Sequence, residues 1–221
     1  MFRIKICGVR FKSDVEAVFT AEADAVGFNF FPPSVRYLDP TAAATRELST
    51  LAAARGLCRV GVFVNEPAAQ VASIVAQVGL DAIQLHGDEP LADLAAYQNL
   101  GLPLFRAVKL PGGRLAAEQV ERLARPWIEA SCQILFDLDA GPIHGGSGKP
   151  LDWGGLQRWS AQHATLPWAL AGGLRPENVA AAIEASGAKS VDVASGVESP
   201  RGQKSSVLIE EFCRQTRTAW G

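Results

Sequence analysis

An acidic residue and a lysine lie at the two ends of a glycine-rich stretch in the middle of the chain. The apolar run 134–136 is typical of a buried parallel strand, and Asp137 is the first residue that such a strand would present to solvent. Lys149 closes the stretch, just before a segment at 151–153 that looks like the start of a helix. A carboxyl group at a strand end, below a loop that carries a cation, suits proton transfer. We expect the loop to act as a mobile lid, and a merely long loop is the alternative.

The segment Gly145-Gly146-Ser147-Gly148-Lys149 is similar to a nucleotide-binding P-loop only at its end. That motif requires a glycine five residues before its Gly-Lys pair, and Ile143 stands there. It also requires serine or threonine after the lysine, where this chain has Pro150. The sequence therefore argues against ATP binding.

Short apolar runs alternate with helix-like segments along the whole chain. The predicted strands are 2–7, 24–30, 59–64, 82–85, 104–108, 132–136, 168–171 and 190–194. The predicted helices are 13–22 with Ser13 as N-cap, one opening at 39–41, 67–78, 89–97, 115–123, 152–161, 176–185 and 205–218. Eight strand–helix units predict an α/β fold, a single (β/α)8 TIM barrel. The alternative is a doubly wound open sheet, but no GxGxxG opens the first helix.

Active sites of such barrels lie at the carboxyl ends of the strands, and this rule sorts the polar residues. Cys7, Asn29, His86, Lys109, Asp137 and Asp192 fall at or near strand ends. The other cysteines do not, because Cys58 and Cys132 lie at strand starts and Cys213 lies on the last helix. Cys7 is therefore either a catalytic thiol or a small buried hydrophobic residue.

Two glycine turns follow strands seven and eight. Gly172 and Gly173 form the first, and Ser195 and Gly196 form the second. Loops at these positions often bind phosphate through backbone N–H groups, which a Cβ atom would hold at a distance. Two ordinary tight turns are the alternative.

Three further residues are candidates for substrate binding. Arg36, after strand two, could grip a carboxylate with two hydrogen bonds, or be a solvated surface arginine. His86 is either a proton carrier or a strand-end histidine bonded to backbone. Asp192 could bind a sugar hydroxyl or satisfy a neighbouring loop.

Composition narrows the class of protein. The chain has 221 residues with 48% hydrophobic content, which is enough for one core, and we expect a single domain over 1–221. The net charge of −2 argues against a nucleic-acid partner. We find no signal peptide and no membrane-spanning stretch, and the four cysteines lack metal-ligand spacing. A cytoplasmic protein with reduced thiols and no metal is expected.

Short segments in a fixed order along nearly the whole chain resemble the phosphoribosylanthranilate isomerase family. They are KICG at 5–8, AVGF at 25–28, RY at 36–37, VGVFVN at 60–65, QLHG at 84–87, GGSGK at 145–149, DW at 152–153, LAGGL at 170–174, PENV at 176–179 and VDVASGVE at 191–198. The resemblance implies a (β/α)8 barrel without a cofactor. It also implies an Amadori rearrangement, in tryptophan biosynthesis, of N-(5-phosphoribosyl)anthranilate to 1-(2-carboxyphenylamino)-1-deoxyribulose 5-phosphate.

By this resemblance Cys7 is the general base, Asp137 the general acid, and Arg36 faces the anthranilate carboxylate. The two glycine turns match the phosphate site of the family. The chain departs from the family's pattern at Pro150-Leu151, where Thr-Phe is usual, and at Ser205, where an acid commonly follows the lysine.

The chemistry suits these residues, because each step of such a rearrangement is a proton transfer and needs one acid and one base. The thiol must act ionised, and we expect positive charge or helix-terminal N–H groups to lower its pKa. A small phosphoribosyl substrate, and a monomer or a homodimer, are expected. Two alternatives stay open: another phosphosugar enzyme using an imine on Lys109, or a barrel that binds a phosphometabolite without turnover.

Overall fold

Eight parallel strands close into a barrel inside a ring of eight α-helices in the computed structural model, which describes residues 1–138 and 151–221. The strands are β1 (Ile4–Cys7), β2 (Ala25–Asn29), β3 (Cys58–Phe63), β4 (Ala82–Leu85), β5 (Leu104–Leu110), β6 (Gln133–Leu138), β7 (Trp168–Leu170) and β8 (Val191–Val193). The helices are α1 (Lys12–Thr20), α2 (Ala43–Ala54), α3 (Ala68–Val78), α4 (Leu94–Gln98), α5 (Ala117–Glu129), α6 (Trp153–Ser160), α7 (Val179–Ser186) and α8 (Ser206–Trp220). Each strand pairs with the next and β8 pairs with β1, which confirms the predicted (β/α)8 barrel.

The core has two layers, because successive side chains of a strand point to opposite faces. A large layer of branched and aromatic side chains fills the space between the sheet and the helices. A smaller layer fills the barrel itself, and its members are Phe2, Ala25, Val60, Ala82, Phe105, Ala107, Leu135, Ala169 and Ala171. The inner layer consists largely of small residues, which leaves room for larger polar side chains above it.

The same alternation turns the candidate residues inward. Leu135 belongs to the inner layer, so Asp137, two positions on, faces the interior at the carboxyl end of β6. Ile4 and Ile6 belong to the outer layer, so Lys5 and Cys7 face inward from β1. Lys5 is paired in register with Asp192 of β8.

Several element boundaries differ from the sequence prediction. Helix α1 begins at Lys12, and the Asp14 carboxylate, not Ser13, accepts hydrogen bonds from the N–H groups of Arg10 and Phe11. Helix α4 is short and follows a 3₁₀ turn at Leu91–Asp93, so the predicted helix 89–97 is only half correct. Among the described residues, no helix has the length and apolar content needed to cross a membrane.

Candidate active site

Cys7 ends β1 with its side chain inside the barrel, where 8% of the residue is exposed. It is aligned with Gly27 of β2. A Cβ atom on Gly27 would lie 2.7 Å from Cys7 Sγ and 2.9 Å from its Cα, so any side chain there would displace the thiol. The glycine in the AVGF segment therefore keeps the space that the thiol occupies.

A buried ion pair lies one pleat below the thiol. Lys5 is fully buried, and its Nζ donates a hydrogen bond to Asp192 Oδ1 at 2.8 Å. Burial disfavours the charged amine, but the effects of Asp192 and Cys7 together outweigh it and raise the pKa of Lys5. Asp192 thus has a buried cation as its partner, whereas the sequence suggested a sugar hydroxyl or a loop.

The pKa of the Cys7 thiol is raised, mainly because burial disfavours the thiolate. The positive charges of Lys5 and Lys204 act in the opposite direction, and the negative charge of Asp192 adds to the rise. The cations act on this pKa in the expected direction, but desolvation exceeds their effect, so the expected net lowering is wrong.

Asp137 is hydrogen-bonded within a short polar chain on the other side of the barrel mouth. Its Oδ1 accepts from the Leu138 N–H at 2.8 Å, and its Oδ2 lies 3.2 Å from His86 Nε2. The other ring nitrogen of His86 lies 2.9 Å from Gln84 Nε2. A histidine placed in this way can exchange a proton with the carboxyl group, and its contact with Asp137 differs from the backbone contact that was the alternative.

Arg36 reaches over the carboxyl end of β1 to a buried acid. Its Nε and Nη2 donate to the two carboxylate oxygens of Glu198 at 2.6 and 2.8 Å. Lys204 Nζ donates to the same carboxylate at 2.9 Å, and the N–H of Gly202 completes the set at 2.8 Å. Burial acts to raise the pKa of Glu198, but these hydrogen bonds outweigh it and lower that pKa to about 2. Arg36 is therefore held in place, unlike a solvated surface arginine.

The two glycine turns lie at neighbouring strand ends. Gly173 has φ +70°, and no described atom lies within 4 Å of the position that its Cβ would take. A Cβ on Gly196 would lie 1.8 Å from the carbonyl oxygen of Leu174, so the absence of a side chain lets the second turn pack against the loop after β7. Within the described chain, the N–H of Gly173 has no hydrogen-bond acceptor.

Lys109 is aligned with Asp137 on the neighbouring strand, whereas the other three cysteines lie away from the strand ends of the site. Lys109 is inside β5 rather than after it, and its Nζ pairs with exposed Asp88 at 3.1 Å. Cys58 begins β3, Cys132 precedes β6 and Cys213 lies on α8, as predicted. The predicted lid at 145–149 falls outside the described residues.

Sequence reasoning did not assign site roles to Lys5, Glu198 or Lys204. A lysine at an inward position of a buried strand was a usable signal for Lys5, because such a charge requires a partner. Glu198 and Lys204 offered no comparable signal, since their role depends on contact with Arg36, 162 positions from Glu198.

A closed barrel that carries a thiol, carboxyl groups, a histidine and a fixed arginine at the carboxyl ends of its strands defines a (β/α)8-barrel enzyme. The family model of N-(5'-phosphoribosyl)anthranilate (PRA) isomerase matches residues 4–215. The chain belongs to this family, as the motifs indicated.

Individual relatives agree with the family assignment. The N-(5'-phosphoribosyl)anthranilate isomerases of Rhodospirillum rubrum and Myxococcus xanthus are 41% and 40% identical, and cover 97% and 98% of this chain and 97% and 96% of their own. The crystal structure of phosphoribosyl anthranilate isomerase from Thermotoga maritima has a TM-score of 0.84 and 34% identity, covering 99% of this chain and all of its own. A family structure in complex with reduced 1-(o-carboxyphenylamino)-1-deoxyribulose 5-phosphate has a TM-score of 0.81 at 31% identity and the same coverage.

Proposed function

We propose that this chain catalyses the Amadori rearrangement of N-(5-phosphoribosyl)anthranilate to 1-(2-carboxyphenylamino)-1-deoxyribulose 5-phosphate. The supporting observation is that one thiol, Cys7, and one carboxyl group, Asp137, face the barrel interior from the ends of β1 and β6. A substrate between them would meet a base on one side and an acid on the other. Membership of the isomerase family supports the same reaction.

The proposed mechanism consists of proton transfers only. Asp137 donates a proton to the ribose ring oxygen, so that the ring opens to an iminium ion. The Cys7 thiolate then removes the proton from C2 of the sugar, and the resulting enolamine tautomerises to the ketone. His86, in contact with Asp137, would return a proton to that carboxyl group for the next turnover.

Two anion sites remote from the reacting carbons would position the substrate. Arg36 would bind the anthranilate carboxylate, and the turns at Gly172, Gly173, Ser195 and Gly196 would bind the phosphate with backbone N–H groups. Binding energy at both ends holds C1 and C2 of the sugar between acid and base. Asp192, beneath the thiol, would accept a hydrogen bond from a ribose hydroxyl at its second oxygen.

Residues 1–221 are proposed to act as one catalytic domain in the cytoplasm, a reducing compartment that suits four free thiols. Either a monomer or a homodimer is compatible with the chain. One solved structure, at 31% identity, shows monomers generated from the dimeric phosphoribosylanthranilate isomerase of Thermotoga maritima. Light scattering of the purified chain separates the two states.

The proposal is tested by following anthranilate fluorescence during turnover. Cys7→Ala and Asp137→Asn should each lower kcat by roughly a hundredfold or more, because general acid and base groups typically contribute that much. Binding of a product analogue should change little, since neither group is an anion anchor. Cys58→Ala is the matched control, because it removes a thiol from the opposite end of the barrel. Near wild-type kcat in either variant, with chemistry rate-limiting, would contradict the assigned mechanism.

A further inference from the structure

Three charged side chains from two separate loops form one hydrogen-bonded network beside the thiol. Arg36 lies on the loop after β2, whereas Glu198 and Lys204 lie on the loop between β8 and α8. The side chains of Glu198 and Lys204 are each 1% exposed, and that of Arg36 is 16% exposed. An acid and a lysine buried to this extent, at the mouth of a binding site, have a role that the proposed mechanism leaves unassigned.

The geometry of the Arg36–Glu198 pair determines which part of the guanidinium remains for a ligand. A guanidinium has two edges that can bind a carboxylate with two parallel hydrogen bonds. Glu198 occupies the edge formed by Nε and Nη2. The edge formed by Nη1 and the second hydrogen of Nη2 is therefore available to a ligand. Arg36 can bind a substrate carboxylate at this end edge while Glu198 binds the side edge of the same guanidinium.

Backbone contacts keep this arrangement fixed. The Gly202 N–H binds Glu198 Oε2, and the Arg36 side chain passes over Gly8, where an added Cβ would lie 2.3 Å from Arg36 Cδ. Gly8 directly follows Cys7, so the arginine stem runs beside the residue that carries the thiol. A change in the side chain of Glu198 would therefore release the guanidinium without moving β1.

Lys204 extends the network to the second glycine turn. Its Nζ donates to Glu198 Oε1 at 2.9 Å and to the carbonyl oxygen of Ala194 at 2.8 Å. Ala194 immediately precedes Ser195 and Gly196. One ammonium group thus connects the acid that orients Arg36 to the backbone of the turn assigned to phosphate.

We propose that Glu198 and Lys204 are positioning residues that set the direction of the Arg36 guanidinium and its spacing from the phosphate turn. Substrates are then selected by the distance between their carboxylate and their phosphate. This inference rests on the proposed function, in which Arg36 and the turn are the two anion anchors. Glu198 touches Arg36 rather than substrate, and its effect is exerted through that arginine.

Two small anions probe the two anchors separately, as competitive inhibitors of turnover. Anthranilate tests the arginine site, and inorganic phosphate tests the turn. In Glu198→Gln we expect the inhibition constant of anthranilate to rise about tenfold, as for a lost charge-assisted hydrogen bond, with that of phosphate within about twofold. In Lys204→Met we expect both inhibition constants to rise, because the lysine contacts both Glu198, which orients Arg36, and the backbone before the phosphate turn.

Three comparisons separate positioning from loss of structure. Glu211→Gln is the matched control, since Glu211 makes a similar two-oxygen pair with Arg214 on the exposed face of α8 and should leave both constants unchanged. Glu198→Asp keeps the charge but is one methylene too short for the pair, and it replaces Glu198→Gln if that variant does not fold. In Arg36→Ala, adding Glu198→Gln should weaken anthranilate inhibition no further.

The outcomes distinguish this inference from the proposed function. If the wild-type chain neither turns over the phosphoribosyl substrate nor is inhibited by anthranilate, the proposed function is wrong. If the wild-type chain does both, but Glu198→Gln and Glu198→Asp keep the wild-type inhibition constant for anthranilate, the inference alone is overturned. Equal weakening of phosphate and anthranilate in Glu198→Gln would also overturn it, because that result indicates a general loss of structure.

Discussion

At the scale of single residues, charge balance around Cys7 connects the site to its chemistry. The side chains near the thiol are Lys5 and Asp192 below it, and Arg36, Glu198 and Lys204 beside it. Three of these are cationic and two are anionic, so a Cys7 thiolate would complete a neutral set. Burial opposes that ionisation and raises the thiol pKa, which leaves the thiolate a minor but strongly basic form.

The pH dependence of kcat/KM should show how burial and the neighbouring cations act in opposite directions on the ionisation of Cys7. The base must be ionised, so the rate falls as pH drops below the thiol pKa, and this limb should lie above the ordinary thiol value of about 8.5. In Lys5→Met the limb should move to still higher pH, because a cation that favours the thiolate is lost. Iodoacetamide reactivity against pH gives the same midpoint without substrate.

A second variant separates the charge of Lys5 from damage to its ion pair. Lys5→Met alone leaves Asp192 buried without its cation, whereas Lys5→Met/Asp192→Asn removes both charges, and with them the anion that disfavours the thiolate. The double variant should therefore shift the midpoint less than Lys5→Met does. Coincident acidic limbs for the wild type and Lys5→Met would show that Lys5 does not influence the thiol.

At the scale of elements, the turn after β7 determines how closely Asp137 is held. Gly172 and Gly173 both have positive φ, at +82° and +70°. A Cβ on Gly172 would lie 2.4 Å from the Leu138 nitrogen and 2.8 Å from Asp137 Oδ1, whereas one on Gly173 would meet no described atom. Adjacent glycines therefore serve different purposes, one allowing β6 and the turn to approach and one leaving space for a ligand.

Alanine at each glycine tests this division. Both variants should lose about 1 kcal/mol of stability from the left-handed backbone, and Gly172→Ala should lose more because its Cβ would meet the backbone of Leu138. Gly172→Ala should in addition lower kcat by about tenfold or more, because misplacing an acid by a fraction of an ångström is costly. Gly173→Ala should keep kcat, and Gly173→Val should raise KM and weaken inhibition by inorganic phosphate. Equal kcat in the two alanine variants would contradict this division.

The barrel and the strand-end positions of the candidates could be predicted because they follow from local patterns. Apolar runs and glycine turns repeat along the chain, and a single rule places strand ends together. Pairings between distant residues could not be predicted in this way: Lys5 and Asp192 are 187 positions apart, and their contact exists only once β8 closes on β1. Predicted helix starts were also unreliable, since at the start of α1 the side chain of Asp14, and not that of Ser13, accepts the backbone hydrogen bonds.

At the scale of the whole molecule, the two ends of the chain stabilise each other. Strand β8 pairs with β1, and α8 packs between α7 and α1. The Trp220 indole N–H donates to the carbonyl oxygen of Ala188, and Arg217 donates to the carbonyl oxygen of Ala21. Within α8, Cys213 is completely buried, and burial raises the pKa of its thiol to about 12. Barrel closure therefore holds a neutral thiol in an apolar layer.

This buried thiol should make the protein less stable as pH rises. Above about pH 8.5 the unfolded chain loses the Cys213 proton while the folded chain keeps it, so the unfolded state binds fewer protons and the unfolding free energy falls with pH. The slope from one such thiol is about 1.4 kcal/mol per pH unit, up to the folded pKa of about 12.

Urea unfolding at pH 7, 9 and 10.5 measures this contribution. Between pH 9 and 10.5 the wild type should lose about 2 kcal/mol more than Cys213→Ala, which has no proton to release there. Each variant is compared with itself across pH, so the cost of the smaller side chain cancels. Burial also raises the pKa of the partly buried Cys58, so Cys58→Ala should decline less than the wild type but more than Cys213→Ala. Parallel declines in the wild type and Cys213→Ala would mean that the folded chain already exposes or ionises this thiol, and that α8 does not seal the barrel at high pH.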